Sequence, residues 1–332
     1  MTRPWRIAVV GAGVNGLCSA IRLRERGYDV TIHATHATPD TTSDRAGALF
    51  TPFGADNDTR LLPWIEVSRS ALEQLALEAP AESGVRLAEV REYLSGTGGR
   101  SIELRRSMPG ARLLSAREPY RHIFESNLPH IDVLRYMPYL QARFEALGGH
   151  IIRDTIDDFT RLVSRGYEGV VNCTGLGARR LARDPLLVPM RGQVVHAPND
   201  LGLETSLIAE ESDGAITYIV PFGDHVVLGG TYERRIEEAV TDEATLAAIV
   251  ERARRLLQFD GHPRADELGR IRLRAWSGIR PVRTRNGHDE EIRLERENLA
   301  DGAWVVHNYG HGRSGFTLSW GCAADVVELV KS

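Results

Sequence analysis

The chain has 332 residues, of which 42% are hydrophobic, and it carries a formal net charge of −4 at pH 7. This length predicts one large domain or two ordinary ones with a substantial core, and the lack of a basic run argues against binding to nucleic acid or to an anionic membrane surface. Cys18, Cys173 and Cys322 lie far apart without a CxxC pair, which argues against a zinc site and a disulfide framework.

Two further features narrow the class of protein. The N-terminus lacks the charged and apolar pattern of a secretory signal, and no apolar run reaches the roughly 18 residues of a membrane span, so we expect a cytoplasmic protein. Lys331 is the only lysine in the chain. Because it stands at the end of a predicted C-terminal helix, a pyridoxal phosphate Schiff base and a P-loop are both disfavoured.

The chain opens with the pattern of a dinucleotide-binding unit. Residues 6–10 form an apolar run typical of a buried parallel strand, residues 17–26 have helical spacing before a stop at Gly27, and residues 29–34 predict a second strand. A glycine turn lies between the first strand and the helix, which is the context that the dinucleotide fingerprint requires. The predicted cofactor contacts of this turn are Gly11, Ala12, Gly13, Val14, Asn15 and Gly16.

The end of the second predicted strand departs from that fingerprint. An acidic residue that binds ribose hydroxyls is expected there, but the chain has Ala34, Thr35 and His36. Thr35 can bond a ribose hydroxyl more weakly, or no ribose contact is made at this point, and the residues leave both alternatives open. Thr35 and His36 are retained as candidate cofactor contacts.

Later segments mix helical and extended patterns. Residues 134–147 predict an amphipathic helix, in which Pro138 marks either a kink or a later start. Residues 169–175 predict a buried strand that runs into a glycine turn, and three segments predict strands of an antiparallel sheet: 193–196, 218–221 and 225–230. A strand-like run, a glycine-rich loop at 310–315 and a helix from about Gly315 complete the chain.

Five sets of motifs occur in one order along the chain: residues 9–16; 41–44 with 46–49; 171–175 with 183–187 and 191–193; 218–221 with 228–230; and 278–283 with 307–312. In these segments the chain resembles the D-amino acid oxidase family of FAD flavoproteins, which includes D-aspartate oxidases. The resemblance implies an α/β fold in which a Rossmann-type FAD-binding domain (1–50, 134–195 and 270–332) is interleaved with an antiparallel-sheet substrate-binding domain (51–133 and 196–269).

The resemblance also implies noncovalently bound FAD. The glycine loop before the last helix is expected to lie against the flavin, because a ring system that approaches the backbone closely leaves no room for side chains. Beyond the first turn and residues 35–36, the implied cofactor contacts are Thr41, Thr42, Ser43, Gly47, Ala48, Leu49, Thr174, Gly175, Gly312, Arg313, Ser314, Gly315, Phe316 and Thr317.

The implied reaction moves a hydride from the substrate Cα to flavin N5 and yields a 2-oxo acid, ammonia and hydrogen peroxide, with oxygen as the electron acceptor. Arg280 matches the family's carboxylate clamp, since its planar fork pairs with a carboxylate bidentately. Tyr218 matches the second carboxylate contact, and the main-chain carbonyl of Arg313 is expected to accept a bond from the substrate amine. Arg283 is interpreted as a structural arginine.

The chain departs from the family's residue pattern at several positions that bear on which substrate binds. The predicted substrate pocket contains Leu49, Thr51 and Gly214, and the segment that forms a lid in mammalian relatives is shorter here. If the Arg313 side chain points into the pocket, acidic D-amino acids gain affinity, whereas a side chain directed at solvent or a flavin phosphate changes nothing. Three acidic residues on the lid segment favour basic substrates instead: Glu210, Glu211 and Asp213.

The leading hypothesis is therefore an FAD-dependent D-amino acid oxidase, with a homodimer expected by family analogy. The closest alternative is an oxidase or dehydrogenase of the same fold that acts on glycine or on another specialised amine. A noncatalytic flavin-binding module is disfavoured because it has no need of a carboxylate clamp, and a nicotinamide dehydrogenase because it leaves residues 307–312 without a role. A metal site at His225, His307 and His311 is also disfavoured, since no carboxylate completes it.

Overall fold

A computed structural model of the protein describes residues 4–51, 59–96, 100–211, 215–270, 273–285, 288–289, 291–299 and 302–332. The predicted pocket residue Gly214 and its neighbour Asp213 lie outside the described residues. Helices and sheets are both present, as the predicted α/β class requires.

The strands belong to two sheets, which are described below. In chain order they are β1 (Arg6–Val10), β2 (Asp29–Ala34), β3 (Val85–Leu94), β4 (Arg112–Leu114), β5 (His122–Ile131), β6 (His150–Arg153), β7 (Gly169–Asn172), β8 (Leu187–Pro198), β9 (Ser206–Glu210), β10 (Ile216–Pro221), β11 (His225–Gly229), β12 (Glu233–Arg234), β13 (Arg274–Arg285), β14 (His288–Asp289), β15 (Arg293–Asn298) and β16 (Trp304–Tyr309).

Helices are interspersed with these strands along the chain. They are α1 (Val14–Glu25), α2 (Leu61–Glu78), α3 (Pro80–Ser83), α4 (Arg100–Ser107), α5 (Val133–Ala146), α6 (Thr160–Ser164), α7 (Ala178–Leu181), α8 (Glu243–Asp260) and α9 (Gly315–Lys331), with short 3₁₀ segments at Ser43–Arg45, Gly175–Gly177 and Ala265–Arg270.

The first sheet has the strand order β15, β16, β7, β1, β2, β6, and all of its neighbours are parallel except β15 with β16. Its central strands are apolar runs: Ile7 to Val10 and all of β7 are buried. Strands covered by helices on both faces need such continuous apolar sequence, which explains why β1 and β7 were predictable. Helices α1, α5 and α9 pack together beside this sheet.

The second sheet has ten strands in the order β14, β13, β8, β11, β10, β9, β3, β5, β4, with β12 paired to β8. Its pairs are antiparallel, as predicted, apart from the parallel pair β3 and β9. The pair β13 and β8 runs over ten residues, from Arg274 opposite His196 to Arg283 opposite Leu187. This long pairing holds the central part of β13 beside β8, where both strands border the cavity described below.

The structure decides between the two alternatives for the start of one helix, and it shows two contacts across the predicted domain boundaries. Helix α5 begins at Val133, where Asp132 caps it by accepting a bond from the Leu134 amide, so the later start at Pro138 is wrong. Strand β13 was assigned to the FAD-binding part but pairs within the second sheet. Helix α2 was assigned to the substrate-binding part but packs on α9, where Trp64 donates to Asp325 at 2.7 Å. The division into two domains stays a prediction.

In the described part of the chain, no helix is long and apolar enough to cross a membrane. All three cysteines are free thiols, with Cys18 and Cys322 buried.

Candidate active site

The carboxyl ends of β1, β2 and β7 open into a cavity of about 900 Å³ that continues along β8, β10 and β13 of the second sheet. Parallel strands direct their carboxyl ends to one edge, and the loops that follow them there form a natural binding crevice. The cavity therefore has one wall made by loops of the first sheet and another made by strands of the second.

The glycine turn after β1 is packed too tightly for side chains. Gly11 has a φ of +107°, and a β-carbon on it would lie 2.4 Å from the carbonyl oxygen of Cys173. A β-carbon on Gly16 would lie 2.0 Å from the Gly11 carbonyl oxygen, so this glycine lets α1 approach the turn. The amide of Val14, in the first turn of α1, donates to Ser43 Oγ at 3.0 Å.

The glycine loop after β16 forms the opposite rim. His311 forms a bridge with Val282 of β13, and the Gly312 amide donates to the Pro281 carbonyl at 3.1 Å. Gly310 and Gly312 both have positive φ, at 89° and 53°. The loop is thus attached to the strand that carries Arg280, which brings together the two halves of the last motif set, residues 278–283 and 307–312.

The residues of these two loops fit a bound dinucleotide. Asn15 Oδ1 and His311 Nε2 are buried polar atoms without a hydrogen-bond partner within the described ranges. Both residues line the cavity, and burial lowers the pKa of His311 to about 3, so this imidazole is neutral. The N-terminus of the twelve-residue helix α1 faces the same space, and such an end favours a pyrophosphate.

The strand end at Thr35 has an acidic neighbour that the sequence patterns did not reveal. The amide of Asp154, just after β6, donates to the Ala34 carbonyl at 3.1 Å, and Thr35 Oγ1 lies 3.4 Å from Thr155 Oγ1. All four residues line the cavity. The Asp154 carboxylate accepts a bond from Arg165 at 2.7 Å, which lowers its pKa. A carboxylate therefore stands near the position where the fingerprint expects one, but on the adjacent strand.

Arg280 lies on β13 and lines the cavity. Its Nη1 donates to the Thr231 carbonyl at 2.9 Å, which fixes one edge of the guanidinium. A β-carbon on Gly192, on the neighbouring strand β8, would lie 2.3 Å from the guanidinium nitrogens, so this glycine provides the space for Arg280. Arg283, three residues later, is buried instead and donates to Asp184 at 2.8 Å.

Tyr218 lies on β10 and is surrounded by glycines. Gly229 is its direct partner on β11, and a β-carbon there would lie 2.0 Å from the Tyr218 ring. A β-carbon on Gly47 would lie 2.8 Å from the Tyr218 hydroxyl oxygen. Burial raises the pKa of Tyr218, and the charge of Arg280 only partly offsets this effect, so the phenol stays protonated and able to donate at neutral pH.

Arg313 lies at an exposed edge of the cavity. Its guanidinium carbon stands 5.2 Å from the centre of the Tyr232 ring, and both residues line the cavity. Arg313 is exposed, and 39% of the Tyr232 surface is accessible. The charge of Arg313 therefore lies close to solvent, as in the alternative in which the side chain does not enter the pocket. The residue also borders the cavity, which is a feature of the alternative in which it does.

Most of the predicted site residues line this one cavity: Gly11, Ala12, Gly13, Val14, Asn15, Thr35, His36, Thr41, Thr42, Ser43, Gly47, Ala48, Leu49, Thr51, Thr174, Gly175, Tyr218, Arg280, Gly312, Arg313, Gly315 and Phe316. Three predicted residues do not line the cavity but contact residues that do: Gly16, Ser314 and Thr317. Gly16 packs on Gly11, the Ser314 amide donates to the His311 carbonyl, and the Thr317 hydroxyl donates to the Thr51 carbonyl at 3.3 Å.

Other residues of the cavity carry no motif. They include Thr231, Tyr232 and Arg252 from the second sheet and its helix. Gly192 also lines the cavity but lies in the motif at residues 191–193, and as a strand glycine it gives a weak signal of close approach. Arg252 lies in an ordinary helical pattern that has no such signal. Glu211, considered for basic substrates, does not line the cavity within the described ranges, and its carboxylate accepts a bond from Tyr120 at 3.3 Å.

The histidines considered as metal ligands contact different residues. His307 is buried between Asn172 and Glu297, each at 3.1 Å, whereas His225 lies 2.9 Å from Asp224. Among the described residues, no group of three or more His, Cys, Asp or Glu side chains is arranged to hold a metal ion.

Comparisons with known proteins identify the family. The family model described as FAD dependent oxidoreductase matches residues 6–329. The chain belongs to this family. It is 37% identical to the D-amino-acid oxidase of Rubrobacter xylanophilus, over 98% of this chain and 95% of the relative. It is 36% identical to the D-amino-acid oxidase of Streptomyces coelicolor, over 98% and 97% of the two chains.

A solved structure supports the fold. The glycine oxidase of Geobacillus kaustophilus superposes with a TM-score of 0.78 at 21% identity, covering 99% of this chain and 95% of that one. The resemblance to the D-amino acid oxidase family is thus confirmed, as is the prediction of an FAD-dependent oxidoreductase. The glycine turn and the loop at residues 310–315 are the parts of this flavoenzyme that fit FAD.

Proposed function

We propose that the protein oxidises D-amino acids to 2-oxo acids, releasing ammonia and hydrogen peroxide, with molecular oxygen as electron acceptor. One observation carries the proposal: Arg280 and Tyr218 approach the same cavity from neighbouring parts of one sheet, beside the loop that fits the flavin. The names of the relatives that share more than a third of its residues support the same reaction.

In this proposal Arg280 and Tyr218 bind the substrate carboxylate. The guanidinium supplies charge and two parallel donors, and the phenol, which burial keeps protonated, donates a further bond. The main-chain carbonyl of Arg313 accepts a bond from the substrate amine. These three contacts fix the orientation of Cα, which is the protein's main contribution in flavin-dependent oxidation. Bound FAD would supply the hydride acceptor toward which these contacts orient the Cα–H bond.

Several finer assignments form part of the proposal. FAD is held without a covalent bond by residues 11–16, 35–36, 41–43, 47–49, 174–175 and 312–317, and the substrate contacts come mainly from the second sheet. Leu49 and Thr51, which line the cavity, belong to the substrate pocket. We also propose a cytoplasmic location and a homodimer, the latter by analogy with the family.

The test is peroxide production by the purified holoenzyme with a panel of D- and L-amino acids, glycine and sarcosine. We expect turnover of D-amino acids and none of their L-enantiomers. Preferential turnover of glycine or sarcosine would favour a specialised amine oxidase of the same fold. Flavin bound without any turnover of the panel would contradict the proposal.

A further inference from the structure

Arg252 lies on α8, outside every motif that identifies the family, yet its side chain reaches the cavity. Its Nη2 donates to the Gly230 carbonyl at 3.1 Å, and its Nε donates to Thr217 Oγ1 at 3.3 Å. One arginine thus links the helix to strand β10 and to the segment that follows β11. Each bond uses a charged donor, which makes it stronger than a bond between neutral groups.

The segment held by Arg252 contacts both proposed carboxylate ligands. A β-carbon on Gly230 would lie 2.9 Å from the Tyr218 ring, so this backbone packs directly on the tyrosine. The next residue, Thr231, accepts the bond from Arg280 Nη1 at 2.9 Å through its carbonyl. Two arginines, one from α8 and one from β13, therefore donate to the successive carbonyls of Gly230 and Thr231.

Thr231 is fixed from the other side as well. Its hydroxyl accepts a bond from the Gln193 amide at 2.9 Å and donates to Glu233 at 2.7 Å. The Gly230 amide donates to the Ile216 carbonyl at 3.2 Å. Strands β8 and β10 and the following residues thus secure the amide of Gly230 and the side chain of Thr231, while Arg252 secures the carbonyl between them.

We propose that Arg252 is a positioning residue for the carboxylate site: it sets the Gly230–Thr231 backbone, which in turn places Tyr218 and Arg280. This inference rests on the proposed function, because it assigns Tyr218 and Arg280 to a substrate carboxylate. It predicts that Arg252 affects carboxylate affinity for every substrate alike and leaves FAD binding intact, since the flavin loops lie on the other wall.

The test compares three variants of the holoenzyme. Arg252→Met keeps the aliphatic stem but loses both bonds, Arg252→Lys keeps the charge, and Arg255→Met is a matched control on the same helix, where Arg255 is exposed and pairs with Glu251. Benzoate, a carboxylate without an oxidisable Cα–H, reports carboxylate affinity through the flavin spectrum. FAD content and the melting temperature report the fold.

We expect Arg252→Met to raise the benzoate Kd and the KM for D-alanine by about 10-fold or more, with a smaller fall in kcat and unchanged FAD content. Arg252→Lys should recover part of the affinity, and Arg255→Met should behave as wild type. Wild-type benzoate affinity in Arg252→Met would overturn the proposal. A loss confined to D-aspartate would also overturn it, because that result would make Arg252 a side-chain ligand.

A second variant decides the matter if Arg252→Met does not accumulate as holoenzyme. Thr217→Val removes the acceptor of the Nε bond at nearly constant volume, and about a threefold loss of benzoate affinity is then expected, with no change counting against the proposal. The proposed function is tested separately by wild-type turnover: benzoate binding without oxidation of any D-amino acid would refute that function, while the variants would still report on Arg252.

Discussion

The two walls of the cavity are built by different means. We call the wall made by the loops of the first sheet the flavin wall, since we propose that FAD binds there, and the wall made by the strands of the second sheet the carboxylate wall. On the flavin wall the chain presents backbone at the ends of parallel strands, and Gly11 and Gly16 are required because no β-carbon fits. On the carboxylate wall the groups in contact with the cavity are side chains on long antiparallel strands, and Gly192 and Gly229 only make room for them. Removal of a side chain should therefore damage the second wall and spare the first, because the first wall presents backbone to the cavity.

The largest effect is expected for Gly11→Ala. The added carbon would lie 2.4 Å from the Cys173 carbonyl oxygen, at a φ of +107° that alanine rarely adopts. We expect the free energy of unfolding to fall by about 3 kcal/mol and most of the bound flavin to be lost. Flavin absorbance per protein and thermal unfolding measure both effects.

Gly27→Ala is the matched control for that variant. Gly27 also has a positive φ, of 86°, but nothing lies within 4 Å of its added carbon. Gly27→Ala should lower the free energy of unfolding by only about 1 kcal/mol and retain FAD, because the backbone is strained at this φ but the added carbon meets no other atom. Equal flavin loss in both variants would show that the flavin wall does not depend on close approach at Gly11.

Arg280→Leu is expected to have the next largest effect and to separate the two walls most clearly. The holoenzyme should remain yellow while kcat/KM for D-amino acids falls by about 10³-fold, because the substrate carboxylate loses its charged partner. Arg285→Leu, on the same strand but exposed and paired with Glu291, should keep wild-type kinetics. Near-normal turnover by Arg280→Leu would remove the basis of the proposed function.

Arg283→Leu should have the opposite effects from Arg280→Leu: it should lower stability and leave substrate affinity nearly unchanged. It would leave the buried Asp184 without the guanidinium that donates at 2.8 Å. Burial alone would raise the pKa of Asp184, but bonds from Arg283 and Tyr309 bring it below its ordinary value. We expect a stability loss of about 3 kcal/mol with little change in the KM of the protein that remains folded, measured by denaturant titration and kinetics.

Tyr218→Phe should have a smaller effect than Arg280→Leu, because it removes one donor and no charge. We expect KM to rise about 10-fold with FAD retained. Since burial raises the pKa of Tyr218, its hydroxyl should keep donating as the pH rises. The ratio of the wild-type kcat/KM to that of Tyr218→Phe should therefore stay constant from about pH 7 to about pH 10, which is the ordinary pKa of a tyrosine hydroxyl. A ratio that collapses near pH 9 would contradict a buried donor.

The fold was predictable where the pattern of hydrophobic residues in the sequence matches the burial of those residues in the structure. Strands β1 and β7 are continuous apolar runs inside a helix-covered sheet, and the stop of α1 at Gly27 follows from its positive φ. The start of α5 was ambiguous because Pro138 lies inside the helix, whereas the deciding feature is the cap made by Asp132. The parallel pairing of β3 with β9 joins residues 116 apart, such as Val90 and Ser206, and no local pattern specifies it.

The site was predictable where chemistry is concentrated in short motifs. Arg280, Tyr218 and the glycine loops were found because each motif keeps its members adjacent along the chain. Arg252 and Asp154 were missed because each is held at the cavity by hydrogen bonds to elements distant in sequence, one from a helix and the other from a strand end. Their sequence surroundings are those of ordinary surface residues, and only the packing of α8 and β6 brings them to the cavity.

Arg313→Ala should have the smallest effect and should sharpen the description of the substrate wall. Arg313 is exposed at the rim, 5.2 Å from the Tyr232 ring centre, so its charge is partly screened by water. We expect the KM for D-aspartate to rise about threefold and the KM for D-alanine to stay constant, with Arg313→Lys close to wild type. The difference should vanish near 1 M salt, where the screening length is only about 3 Å. Equal changes for both substrates would show instead that Arg313 acts through the backbone of its loop, because only a charge distinguishes D-aspartate from D-alanine at this distance.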